Sequence, residues 1–425
     1  MKPAGGPPAD PARFWTLCAA IGLMFVGHTM IAPLAPLYSV ALGASPAVIG
    51  VVIAAAFLFP LFLAIPAGSL VDRYGSRGML IAGTLLVGLS PFLVPLFPGF
   101  AALGLLQVLG GLGQLLAVVA AQSFVATLGG GRRREQNFGW YSTFISGGQL
   151  LGPLIAGVTV DLLGFEEAFA LSGVLSTLSV LLVVRLRQPE RTVSSEPHRF
   201  PSPAQVSRLL RNPGVQLALL VSGTLMIPAL GYQSFLPAYL DLLAFPATVI
   251  GAVISLRALV TIMVRPFMPL IISHLGGRFR TLLVTMTMSI VGLAGIVYGD
   301  SIWALACVAL LVGVGLGIAQ PLTMVAVVDR VAAKERGMAF GLRLTANRLM
   351  QVTGPLALGL IAQTVGFQAM FPIAALISCT SIVLLLARRG HFAGVEAEAD
   401  VDVDRDVKAA AKASGAERPA DSGDD

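Results

Sequence analysis

The chain has 425 residues, of which 56% are hydrophobic and only 12% charged, with a formal net charge of +6. So few charges cannot cover the surface of a water-soluble domain, so most of the chain must lie in lipid. Spanning about 30 Å of hydrocarbon takes roughly 20 apolar residues as helix, and the long Leu, Val, Ala and Gly runs lack the alternation of a membrane barrel.

Twelve such runs follow one another, at 14–42, 47–71, 78–98, 99–127, 137–163, 166–187, 214–243, 247–273, 280–299, 301–328, 338–365 and 367–388. They predict an all-α polytopic membrane protein. A cytoplasmic N-terminus, 1–13, is followed by a six-helix bundle, 14–187. A linker rich in Pro, Ser and Arg, 188–213, leads to a second six-helix bundle, 214–389, and a tail, 390–425. Residues 1–12 are Pro- and Gly-rich without a cleavable signal, so the first helix is expected to stay as an anchor. Residues 391–425 hold ten acids against four basic residues, which predicts a disordered, solvated tail.

The connections alternate in charge. Arg73 and Arg77, residues 132–134, 185–211, Arg278 and Arg280, 330–336, and Arg388 and Arg389 fall on one side. The opposite connections, near Gly43, Pro98, Glu166, Phe245, Asp300 and Gly366, carry no Lys or Arg. The positive-inside rule then places both termini in the cytoplasm of a cell (inner) membrane. Basic loops placed this way report topology and call for no nucleic-acid partner.

A stretch near the middle of each half repeats 202 residues later without a gap. Phe138-Gly139 recurs as Phe340-Gly341, Gln149 as Gln351, Gly152-Pro153 as Gly354-Pro355, and Gly157 as Gly359. Gly164-Phe165 recurs as Gly366-Phe367 and Phe169 as Phe371; in the first two helices of each half the offset drifts by one or two residues. One unit has been used twice, giving two pseudo-symmetric bundles, and a parallel repeat of about six helices with a site between the copies describes a large class of secondary transporters. The first helix of each half carries helix breakers, Gly27, Pro33 and Pro36 in one and Pro228, Gly231 and Pro237 in the other. A break at each of these matching positions is expected, and loosened backbone at depth points either to a binding site or to a packing kink.

Residues 68–77 read Gly-Ser-Leu-Val-Asp-Arg-Tyr-Gly-Ser-Arg. Gly75 permits a tight reversal, Gly68 permits close approach of a neighbouring helix, and Asp72 is an anion beside the bilayer with Arg77 in reach. The stretch, with Gly68, Asp72, Arg73, Gly75 and Arg77 in place, resembles the loop signature GxxxDRxGxR of the major facilitator superfamily. The resemblance implies twelve helices and a latch in which Asp72 faces the positive end of the eleventh helix, near residues 338–341. The pseudo-equivalent stretch, 273–280, has lost the acid, so the latch is expected to be asymmetric.

The fifth helix carries Gly139, Gly148, Gly152-Pro153 and Gly157, which resembles the GP motif of the superfamily's drug and metabolite exporters, with Ala156 where the family has glycine. Its glycines make a flat face for close packing, expected to seal the cavity, and Pro153 bends it. The resemblance implies export and the antiporter mode; pure packing is the alternative, because the eleventh helix repeats Gly354-Pro355. The fourth helix departs from the family pattern RxxxGxG by placing Gln107 where the arginine stands, and no Asp or Glu falls at mid-membrane depth. His28 is then the coupling candidate, with protons as the coupling ion.

Deep charges are expensive in a bilayer and invite a functional reading. Arg257 lies mid-way along the eighth helix, with Arg265 eight residues on, and the eleventh helix adds Arg343, Asn347, Arg348 and Gln351. Arg257, Arg348, Asn347 and Gln351, with Tyr232, Gln233 and Gln320, are the candidate substrate-binding residues. Arg343 and Arg265, nearer the cytoplasmic end, are expected to snorkel or to staple loops. With no deep acid opposite, the guanidinium groups favour an anionic or zwitterionic substrate.

Cys18, Cys307 and Cys379 are scattered singly, and His28, His198, His274 and His391 are dispersed, so no metal, no cofactor and no enzymatic activity are expected. The expected protein is a monomeric secondary transporter in the lipid bilayer. It would export a small organic anion or amphipathic drug-like solute by alternating access; an organic-anion importer is the alternative, and a non-transporting sensor a distant one.

Overall fold

The computed structural model describes residues 11–128, 131–186, 203–328 and 336–387, and among these every regular element is helical. The acidic tail and most of the linker lie outside the described residues. In chain order the long helices are α1 (Pro11–Ala41), α2 (Pro46–Tyr74), α3 (Ser76–Leu96), α4 (Phe100–Thr127), α5 (Gly131–Leu163) and α6 (Phe165–Arg185). They continue as α7 (Leu219–Leu242), α8 (Ala247–His274), α9 (Arg278–Tyr298) and α10 (Ile302–Val328). A last helical stretch, Arg336–Ala387, is broken at Gly366, where φ is 83° and ψ 163°, into α11 (336–365) and α12 (367–387). Its 52 residues would reach about 78 Å as one helix, far beyond a bilayer, so twelve spans result.

The repeat is visible in the turns. Gly164, 202 residues before Gly366, separates α5 from α6 with φ 110°. Both positions need the left-handed backbone that an L side chain resists. Each half buries a phenylalanine of the repeat completely: Phe169 meets Tyr38 edge-on at 5.5 Å and Phe371 meets Tyr239 edge-on at 5.3 Å. Such pairs add about 0.5–1.5 kcal/mol beyond their area. Side chains that no neighbour covers, such as Trp303 at 82% and Tyr298 at 79% exposure, lie near the arginine-poor ends, the depth where aromatic belts meet the membrane interface.

α1 departs from the expected break. It is one continuous helix through Pro33 and Pro36. Gly27 instead lets α6 approach closely: the Ser172 hydroxyl of α6 donates to the Gly27 carbonyl at 2.8 Å, and a Cβ at Gly27 would strike Ser172 and Ser176. α7 keeps its break, as a π-helical turn over Gly231–Phe235, the kind of irregularity that recurs at functional sites.

Candidate functional site

The two halves meet along two seams at the arginine-poor end. In one, a Cβ at Gly50 of α2 would overlap the Pro355 carbonyl of α11, and a Cβ at Gly359 would lie 2.7 Å from the Pro46 carbonyl. In the other, a Cβ at Gly251 of α8 would overlap the Pro153 carbonyl of α5, and one at Gly157 the Ala247 carbonyl. The seams are related by the repeat, backbone on backbone in both, and only glycine allows that approach. Toward the arginine-rich end no such approach is seen among the described residues: a Cβ at Gly68 of α2, Gly139 of α5 or Gly341 of α11 would meet no described atom within 4 Å.

These contacts correct two expectations. Gly68 makes no close helix contact among the described residues, since no described atom lies within 4 Å of its Cβ position. Gly148 and Gly152 do not face the seam; they pack inside their own bundle against Phe25, Val26 and Thr29 of α1, and the Thr29 hydroxyl donates to the Gly148 carbonyl at 2.7 Å. Among the described residues, Pro153 and Gly157 of the GP motif reach the other half. The reason is periodicity: residues 148 and 152 share a stripe, whereas Gly157, five residues beyond Gly152, turns away by more than a quarter-turn.

In the gating loop, Gly75 ends α2 with φ 86°, and its N–H donates to the Val71 carbonyl at 2.8 Å, which makes the tight reversal. Asp72 is exposed on the last turn of α2, and the Arg73 guanidinium lies 5.4 Å from the Tyr74 ring centre. Arg77 turns to α6, where Nη2 donates to the Val184 carbonyl at 2.7 Å and so occupies an acceptor in the last turn of that helix.

Arg257 lies where α8 and α10 pack closely. Gly313 of α10 lets the backbones close, its Cβ position lying 2.9 Å from the Arg257 carbonyl, and the Thr261 hydroxyl donates to the Gly313 carbonyl at 3.1 Å. The guanidinium carbon stands 5.7 Å from the centre of the Tyr232 ring, and the buried Nε has no hydrogen-bond partner. Tyr232, on the π turn, is fully buried, donates its hydroxyl to the Val253 carbonyl at 2.8 Å and sets its ring face under Arg257. Gln233, its neighbour, is exposed.

The polar residues of α11 go to different partners. Arg343 is buried and Nη2 donates to the Gln320 carbonyl at 3.2 Å and to the Thr323 hydroxyl at 3.1 Å, tying α11 to α10. Asn347 accepts from the Ser222 hydroxyl at 2.9 Å, tying α11 to the start of α7. Arg348 donates to the side-chain oxygen of Gln351 at 2.9 Å, and both remain half-buried. Arg265 is exposed, His28 is half-buried in α1 with its ring 6.2 Å from Phe25, and Gln107 is buried in α4.

Twelve spans, a twofold repeat and halves sealed at one end are the frame in which the comparisons fall. The profile of the Major Facilitator Superfamily matches residues 17–298 and 243–413. The chain belongs to the major facilitator superfamily. Among its relatives, the quinolone resistance protein NorA of Staphylococcus aureus (strain MSSA476) is 21% identical over 384 residues, covering 89% of this chain and 97% of the relative. An uncharacterized MFS-type transporter of Methanocaldococcus jannaschii is 22% identical over 361 residues, 83% of this chain and 92% of the relative. Of solved structures, a point mutant of the nucleoside transporter NupG superposes with a TM-score of 0.75 at 17% identity, over 88% of this chain and 98% of that one. A bacterial homolog to the human lysosomal transporter Spinster, inward-facing and occupied, gives 0.67 at 17% identity, over 90% of this chain and 96% of that one. The chain is therefore a multi-pass membrane transporter of this superfamily.

Two seam residues were missed from the sequence. Asp161 of α5 accepts the Ala247 N–H at 3.0 Å and the Thr248 N–H at 2.7 Å, at the start of α8, and Gln363 of α11 accepts the Ala47 N–H at 3.3 Å, at the start of α2. The signal was present in the repeat, since the two positions are 202 apart and each lies eight residues after the GP proline of its helix.

Proposed function

We propose that this superfamily member exports a small organic anion or anionic amphipathic drug from the cytoplasm by alternating access, with Arg257 as the anion-holding residue. The arginine-rich face is the cytoplasmic one, so the seams at the opposite end put the described state outward-closed. The observation that carries the reading is Arg257 itself, a mid-span guanidinium resting on the Tyr232 face with a buried Nε left unpaired. A cation–π contact keeps the charge without neutralising it, which leaves its donors for a carboxylate, sulfonate or phosphate. The Arg348–Gln351 pair supplies a second, half-buried donor set in the same half. Export draws its support from the quinolone resistance relatives and less from the GP motif, because both halves use that motif alike in the seams.

The test is uptake of radiolabelled organic anions and of neutral drugs into inside-out vesicles. Arg257→Ala should lower anion flux at least ten-fold, Arg257→Lys should retain part of it, and flux of a neutral solute should change less. Unchanged anion flux in both Arg257→Ala and Arg348→Ala defeats the proposal.

A further inference from the structure

Each half caps a helix of the other. α8 begins after Pro246, which has no side-chain acceptor, and its first amides find one in Asp161 of α5. α2 begins after Ser45, whose hydroxyl makes no capping bond, and its Ala47 amide finds Gln363 of α11. The first amides of a helix have no partner within it, so a contact that supplies one across a seam stabilises the closed seam specifically. The two caps are equivalent in position under the repeat and differ in strength and charge: Asp161 is an anion accepting two amides at the positive end of α8, and Gln363 is neutral and accepts one at the positive end of α2.

We infer that Asp161 is a positioning residue that holds the outer side shut, a charge-on-helix latch whose pseudo-symmetric partner, Gln363, provides one such hydrogen bond without the charge. Asp161 and Gln363 are both exposed, so water replaces them when the halves part and the latch can be released in every cycle. The seam glycines set how close the helices come; Asp161 sets how often they stay there. This inference rests on alternating access and on nothing about the substrate.

The experiment therefore measures the halves directly, without substrate. Full-length protein in nanodiscs, with Cys18, Cys307 and Cys379 replaced by alanine, carries spin labels at Ala101→Cys and Ser301→Cys, on outer ends of opposite halves, and the distance distribution is read by pulsed electron resonance. Asp161→Asn, which removes the charge and leaves one acceptor oxygen for the two amides, should raise the outer-open to outer-closed ratio about five-fold or more, from the loss of one charge at a helix end together with one of the two hydrogen bonds. Asp161→Glu should restore part of the closure. Gln363→Glu adds a charge at the matching terminus and should lower the ratio by a similar factor, and 1 M salt should shrink both effects. A distribution that ignores both Asp161→Asn and Gln363→Glu, or moves the same way in both, overturns the latch. Because Gln363→Glu adds a charge and keeps the acceptor oxygen that bonds the Ala47 amide, it decides the matter even if Asp161→Asn folds poorly. An Arg257 variant with lost flux and an unchanged distance distribution would bear on the substrate proposal alone.

Discussion

Gly251→Ala is the sharpest perturbation of the closed seam. A Cβ there would overlap the carbonyl oxygen of Pro153, and its next neighbours are the Pro153 carbonyl carbon at 3.0 Å and the Leu154 Cα at 3.3 Å, all backbone. No side chain can rotate away, so α5 and α8 must separate by about 1 Å or bend, and overpacking of this kind costs about 1–3 kcal/mol. In the outward-open state the seam is parted and the methyl costs nothing, so the whole penalty falls on the conformational equilibrium. That converts to a shift of roughly 5- to 150-fold toward outward-open. The assay is alkylation of a cysteine placed beside the seam, or the spin-label distance described above. Gly68→Ala is the control, since its Cβ meets no described atom within 4 Å and alanine is the better helix former there. Equal distributions for wild type and Gly251→Ala would refute the argument that these backbones touch in the dominant state.

Tyr232→Phe deletes the hydroxyl that donates to the Val253 carbonyl but keeps the ring under Arg257, so thermal stability should fall by about 1 kcal/mol while anion flux survives. Gly366→Ala forces an L side chain to φ 83°, which costs about 1–3 kcal/mol and should lower the unfolding midpoint of purified protein. His28→Gln should abolish the response of flux to an imposed pH gradient; a variant that follows the gradient like wild type removes His28 as the coupling group.

The scaffold was legible because it depends on properties that a single chain writes down. Span length follows from apolar runs, the twofold relation from the 202-residue offset, and the turns at Gly75, Gly164 and Gly366 from glycine where φ is positive. The site was less legible, for three reasons. Breakers need not break, as at Pro33 and Pro36, which stay within α1 in a helix whose backbone packs closely on α6 at Gly27. Helical periodicity says which residues share a stripe but not which neighbour that stripe meets, so the motif divides between α1 at Gly148 and Gly152 and α8 at Gly157. Polar residues choose partners by direction: Arg343, Asn347 and Arg348 lie within six residues of one another and bond to α10, to the start of α7 and to their own helix.

The symmetry of the seams makes one more prediction, about how the halves move. A Cβ at Gly157 and one at Gly359 each strike backbone of the opposite half, in equivalent places on different seams. If the halves rock as rigid bodies, opening parts both seams at once and the closed state carries both penalties. Gly157→Ala and Gly359→Ala should then each favour outward-open, and the double variant should shift the equilibrium by the product of the two factors, because separate costs on one two-state equilibrium add as free energies. If α5 and α8 can part while α2 and α11 stay packed, each methyl is relieved by local opening on its own side. The double variant would then populate intermediate distances instead of the fully open one. Distances measured across each seam separately in the single variants distinguish the cases: rigid rocking requires the unmutated seam to open together with the mutated one.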